Sequence, residues 1–111
     1  MAYESQLKNP DVDFLFKAIM TLETEEDCYR FFEDICTIKE IQAIAMRLKV
    51  AKMLKDGHTY NEIEEATLAS TATISRINKR LLYGAKGYVG ALNRIEKSER
   101  DLINKQKFIK K

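Results

Sequence analysis

The stretch TYNEIEEATLASTATISRINKRLLY, residues 59–83, decides the fold, because it carries two helix signatures with space between them only for a tight turn. Thr59 and Glu62 stand at capping-box spacing directly after Gly57, and the short segment YNEIEEAT then sets Tyr60, Ile63 and Ala66 on one expected face. LAS breaks the pattern. Ile74, Ile77 and Leu81 resume it with an i, i+3, i+7 stripe, and Ser70 or Thr71 can cap this second helix. Leu68 occupies the place where such turns commonly carry a glycine for positive φ, so a cost in stability is expected there.

Helix signals continue on both sides, and strand signals do not appear. In NPDVDFLFKAIMTL, Asn9 can cap, Pro10 suits the first helical position, and Val12, Leu15, Phe16 and Ile19 form a stripe. Thr24 opens TEEDCYRFFEDIC, where Glu25, Glu26 and Asp27 favour the positive helix start and Cys28, Phe31, Phe32 and Ile35 make the next stripe. Thr37 and Glu40 form a capping box for a third helix that should run to about Asp56 and stop at Gly57. Its apolar residues lie on more than one side (Ile41, Ile44 and Leu48, but also Ile38, Met46, Val50 and Met53), which predicts a central, widely buried helix. After YGAKG, the residues Tyr88, Leu92, Ile95 and Leu102 mark a last helix whose basic end, about 104–111, is expected to fray. The reading is therefore all-α, about six helices in one domain over residues 1–111, with a helix-turn-helix at about 59–83.

Composition excludes several classes of function. With 45% hydrophobic and 32% charged residues in 111, the chain reads as an ordinary globular protein, and a net charge of +2 argues nothing about partners until the charges are placed. One histidine, His58, in the turn after Gly57, cannot build a catalytic set, so an enzyme is not expected. Paired carboxylates such as Glu25 and Glu26 are better read as partners of the helix dipole than as acid and base. Cys28 and Cys36 lack the further ligands of a zinc site and are expected to be buried thiols; no metal and no cofactor is implied. No charged leader runs into an apolar segment and no run is long enough to span a membrane, so a cytoplasmic protein is expected.

The charges are unevenly placed. Residues 66–95 contain no Asp or Glu, although the chain has 17 of them, while Arg76, Lys79, Arg80, Lys86 and Arg94 all fall within that stretch. With Ile74, Ile77 and Leu81 turned to a core, the opposite side of the second helix displays Ala72, Ser75, Arg76, Lys79 and Tyr83. Such a face is small at its start and basic later, the order a recognition helix needs: small residues let the backbone approach base edges, and cations meet phosphate. Thr71, Ala72 and Ser75 are thus the expected base contacts, and Arg76, Lys79 and Arg80 the expected phosphate contacts, on double-stranded DNA. Against this, Glu62, Glu64 and Glu65 lie on the first helix of the pair, where carboxylates repel phosphate. A plain solvated helix face is the bland alternative. A protein-interaction or RNA-binding module on the same scaffold is the other, with Tyr83 and Tyr88 as the only aromatics available for stacking.

CYRFFEDICTIKEIQAIAMRLKVAKML, ASTATISR and LLYGAKGY resemble the Trp-repressor-like helix-turn-helix family, and within it the YerC/YecD group of Gram-positive bacteria, over about residues 10–95. The resemblance implies an intertwined homodimer formed largely by the first helices and the last, and a transcriptional regulator, a repressor by analogy, that binds operator DNA through paired helix-turn-helix units. In the Trp repressor a threonine and two arginines help hold the tryptophan corepressor, and the matching positions are Thr37, Arg47 and Arg76. All three also have local uses: Thr37 as a cap, Arg47 as a partner for an acid, Arg76 as a phosphate contact. The departure that matters is Ile77, where the repressor has a glycine lining the indole slot, so tryptophan is not the expected effector.

Overall fold

The computed structural model describes the backbone of residues 3–109 and the side chains of residues 3–106. Among the described residues six helices follow one another: α1 (Pro10–Ile19), α2 (Glu25–Ile35), α3 (Ile38–Lys55), α4 (Tyr60–Thr67), α5 (Thr71–Tyr83) and α6 (Gly87–Ile109). Within the single expected domain the chain divides into two compact units, Met1–Ile41 and Gln42–Lys111.

The helix starts are fixed by short polar side chains. Asn9 accepts from the backbone of Val12 and precedes Pro10, as expected. Three threonines head reciprocal capping boxes: Thr24 with Asp27, Thr37 with Glu40, and Thr59 with Glu62. In the last, the Thr59 amide donates to Glu62 at 2.9 Å and the Glu62 amide donates to the Thr59 hydroxyl at 3.2 Å. The boxes hold all three carboxyls below the usual carboxylate range, because each accepts from backbone N–H groups at a helix N-terminus. At the other end of α3, Gly57 takes φ +90°, and its amide and that of His58 return to Leu54 and Met53, closing a Schellman turn that few residues other than glycine could make.

In the first unit neither α1 nor α2 contains a fully buried residue. Val12, Leu15 and Ile19 of the first stripe and Phe31 and Phe32 of the second are half-buried, and the two phenylalanines meet edge to face with centroids 5.2 Å apart. Phe16 and Ile35 are exposed, as is Phe14. The cysteines differ from expectation: Cys28 is exposed and Cys36 only half-buried. Two helices of 10 and 11 residues are too small to enclose an interior, so residues on their apolar stripes stay in contact with water.

The second unit has a true core of Val50, Ala51, Ile63, Ala69, Ile74, Ile77 and Leu92, with Met46, Met53, Leu54, Tyr60, Leu81 and Tyr88 packed around it. Only Val50 and Ala51 of α3 are fully buried, and Ile38, Ile44 and Leu48 are exposed, so α3 is less widely buried than its apolar residues suggest. Its fully buried residues lie in its C-terminal half. On α4, Ala66 is exposed and Thr67 takes the inward place beside Tyr60 and Ile63, because a step of seven residues returns to the same helix face whereas a step of six does not. On α6, Tyr88 and Leu92 join the core while Ile95 and Leu102 remain exposed. The basic end expected to fray is helical through Ile109; Lys110 and Lys111 lie outside the described residues. Among the described residues no helix is long and apolar enough to cross a membrane.

Between α4 and α5 the turn is made as the missing glycine foretold. Leu68 adopts φ 60°, ψ 14°, and the residue is 90% exposed. The Thr67 hydroxyl braces the turn by donating to the Ile63 carbonyl at 2.7 Å and accepting from the Ala69 amide at 3.2 Å. A left-handed residue with a Cβ costs about 1 kcal/mol or more, and Leu68 recovers little of that by burial. Leu68→Gly is therefore expected to stabilise the fold by about 0.5–1 kcal/mol, after the greater chain entropy of glycine is subtracted. A thermal melt should show a Tm a few degrees above the parent's; a lower Tm would overturn the account of the turn.

The capping carboxylates also predict the response to acid. Their folded pKa values lie below the unfolded ones, so their contribution to stability is complete above the ordinary carboxylate range and disappears as pH falls through that range and below it. Denaturant midpoints measured at descending pH should fall through this window. Replacing Glu62 with Gln, which keeps an acceptor but cannot titrate, should flatten part of the fall.

Candidate nucleic-acid interface

Ser70, rather than Thr71, caps α5: its hydroxyl accepts from the Thr73 amide at 3.2 Å and donates to the Thr73 hydroxyl at 3.0 Å. That leaves Thr71 and Ala72 in the first turn, both exposed, followed by exposed Ser75, Arg76, Lys79, Arg80 and Tyr83. All six residues expected to meet DNA therefore lie on the water side of α5, while Ile74 and Ile77 are buried on the other. Among the described residues Arg76, Lys79 and Arg80 form no ion pair with a carboxylate, and the Arg76 guanidinium reaches only the Thr73 hydroxyl, at 3.4 Å. Unpaired cations on one helix face leave their charge available to a polyanion.

Arg76, Lys79, Arg80, Tyr83 and Gly84 line a concave surface at the exit of α5. Gly84 is required by close approach: a Cβ there would clash with the Arg80 carbonyl oxygen. Arg80 also borders a neighbouring cleft with Lys86 and Tyr88, so the basic surface continues from α5 to the start of α6. Lys86 is left-handed at φ 69°, which the sequence reading did not anticipate; a lysine between two glycines in GAKG was the available signal.

The acids of α4 are largely committed. Glu62 closes the capping box and lies 3.4 Å from Nδ1 of exposed His58, which is a turn residue as expected. Glu64 accepts a hydrogen bond from the Thr71 hydroxyl across the turn, a contact that sequence reasoning missed because it joins residues seven apart on different helices. Glu65 is exposed.

The effector candidates have separate local settings. Thr37 is the cap of α3, Arg47 is exposed and forms no ion pair among the described residues, and Arg76 is the exposed residue already described. Ile77 is 5% exposed within the core. Among the described residues no group of three or more His, Cys, Asp and Glu side chains could hold a metal ion.

Known proteins resemble the chain in sequence and fold. The family model described as Trp repressor protein matches residues 10–96. The chain is 49% identical over 100 residues to YerC, an uncharacterized protein of Bacillus subtilis (strain 168), an alignment covering 90% of this chain and 96% of that protein. The crystal structure of a candidate Trp repressor from Staphylococcus aureus matches with a TM-score of 0.78 and 49% identity, covering 82% of this chain and 91% of the other. That of a TrpR-like protein from Eubacterium eligens matches with a TM-score of 0.79 and 48% identity, covering 82% and 94%. With a buried Ile63–Ile74 core beneath a left-handed turn, a solvent-facing α5 and these likenesses along most of its length, the chain belongs to the Trp repressor family of non-catalytic, DNA-binding helix-turn-helix transcriptional regulators, in the YerC-like group.

Proposed function

We propose that the protein binds specific sites on double-stranded DNA as a homodimer, with α5 in the major groove, and represses transcription without tryptophan as effector. The observation that carries this reading is the outer face of α5, with small Thr71, Ala72 and Ser75 at its start and unpaired Arg76, Lys79 and Arg80 behind them. Small side chains permit approach to base edges, and the cations suit phosphates. The plain alternative, a solvated face, does not account for the absence of acids from residues 66–95.

Dimerisation is supported by the first unit. Phe14 and Met20, 74% and 85% exposed, together with Tyr29 and Ile35, are more apolar surface than a soluble helix pair leaves to water, and a second copy is the partner that the reading assigns to it. Two-fold symmetry would set the recognition helices about 34 Å apart on a near-palindromic site. Light scattering at micromolar concentration should give twice the chain mass; a monomer would sink this part.

Against tryptophan stands Ile77. Its side chain fills core volume that a glycine would leave open, and a close-packed interior resists an inserted ring by roughly 1–3 kcal/mol of repacking. Thr37 then serves as the α3 cap and Arg76 as a phosphate contact, while Arg47, exposed, pairs with no acid among the described residues; a smaller ligand is the remaining use for the three. Isothermal titration with tryptophan should give no heat, and its addition should leave duplex affinity unchanged; micromolar binding would overturn this.

Lys79→Ala should weaken binding to all duplexes alike and lower the salt slope by about 1, whereas changes at Ser75 or Ala72 should alter sequence preference by about 1–3 kcal/mol. A folded Arg76/Lys79/Arg80 triple-alanine variant that binds duplex as well as the parent would refute the interface. Tighter binding to single-stranded RNA of equal length would favour the RNA reading, in which exposed Tyr83 stacks on bases.

A further inference from the structure

Thr71 opens α5 but is not its cap, since Ser70 holds that place. Its hydroxyl instead donates to the carboxylate of Glu64, reaching back over the turn to α4. Glu64 is half-buried, and its backbone carbonyl accepts the Leu68 amide at 2.9 Å. One residue thus holds the left-handed turn with its carbonyl and the first side chain of α5 with its carboxylate.

A threonine side chain has a hydroxyl and a methyl on one stiff torsion, so fixing the hydroxyl fixes the methyl. With the hydroxyl committed to the Glu64 carboxylate, the methyl is what Thr71 has left to offer a ligand. Exposed Ala72 follows with a second methyl. Ser75, a turn further on, is exposed, and its hydroxyl makes no hydrogen bond among the described residues. The start of α5 therefore presents apolar groups first and a free hydroxyl second. In the major groove, Ala and Thr methyls match the C5-methyl of thymine, while a free hydroxyl suits the polar base edges.

We infer that Glu64 is a positioning residue for base recognition: by holding the Thr71 hydroxyl it turns the Thr71 methyl outward and makes that position of the site select thymine through its C5-methyl. The inference rests on the proposed binding of α5 in the major groove. It also gives a use to a carboxylate whose charge, so near the interface, works against phosphate binding.

The test begins with selection of a preferred site by the parent from a random duplex pool, followed by replacement of each dT in it with deoxyuridine, which lacks only the C5-methyl. At one position of each half-site the parent should lose about fourfold in affinity per dT replaced, the worth of one buried methyl group. Glu64→Gln keeps an acceptor for Thr71 and should keep this discrimination. Glu64→Ala and Thr71→Ser should abolish it, the first by freeing the side chain and the second by removing the methyl. Both Glu64 variants should bind random duplex more tightly, because both remove a negative charge, so a general gain in affinity is separated from the effect on one base. Melting curves establish that each variant is folded. Discrimination retained by Thr71→Ser or by folded Glu64→Ala would overturn the inference. A parent that selects no sequence at all would instead refute the proposed function on which it rests.

Discussion

Ile63 on α4 and Ile74 on α5 are wholly withdrawn from water, and the arrangement of the interface follows from that burial. Only Leu68, Ala69 and Ser70 separate the two helices, and Ala69 is itself buried, so the connection must fold down onto the core while reversing the chain. A left-handed residue is the local solution. Burying two isoleucines is worth about 1.5–3 kcal/mol each, against about 1–2 kcal/mol for Leu68 in the left-handed region, so packing overrides the backbone preference. Once the inner side of α5 is set, its outer side has no freedom left: Ala72, Ser75, Arg76 and Lys79 face water because Ile74 and Ile77 do not.

Much of this was legible in the sequence, and the failures have common causes. Capping boxes were readable because they involve residues three apart, and the Ile74, Ile77, Leu81 stripe because it repeats within one helix. Leu68 announced its own strain by standing where glycine is usual. What the periodicity could not supply was the identity of the neighbour. Phe16, Ile35, Ile44 and Ile95 are apolar at helical spacing, as a core residue would be, yet each is exposed in the single chain. The expectation of buried thiols at Cys28 and Cys36 failed because apolar spacing marks a helix face without supplying the neighbour that would bury it. The Glu64–Thr71 contact was hidden differently: it depends on the angle between two helices, which no local pattern encodes.

Electrostatics across the helix pair is partitioned by hydrogen bonding rather than by distance in sequence. The acids of α4 directly precede a stretch with none, and by count alone they would weaken any attraction between this region and a polyanion. Glu62 and Glu64 are, however, held by specific donors: the Thr59 amide and His58 ring in one case, the Thr71 hydroxyl in the other. Glu62, in the first turn of α4, offsets the dipole of that helix start, whereas Glu64 lies in its second half and keeps a charge that opposes a polyanion, reduced by water and salt within about 8–10 Å. Arg76, Lys79 and Arg80 have no such engagement with acids among the described residues, so three unpaired positive charges stand on the outer face of α5.

The two units differ in how much structure one chain can secure for itself. The second owns its core, from Val50 on α3 to Leu92 on α6, and the helix-turn-helix is built into that core. The first has no buried residue in either of its helices, and hydrophobic stabilisation scales with the area removed from water. On the proposed reading, the shape of each recognition element is a property of one chain, whereas the folding of α1 and α2 is coupled to association and so depends on protein concentration. Specificity then has two separable origins. In that proposal the base preference of a half-site would arise where α4 meets α5, through the Leu68 turn and the side chains around it, and the spacing between half-sites would arise only when a second copy covers the phenylalanines that a single chain leaves exposed.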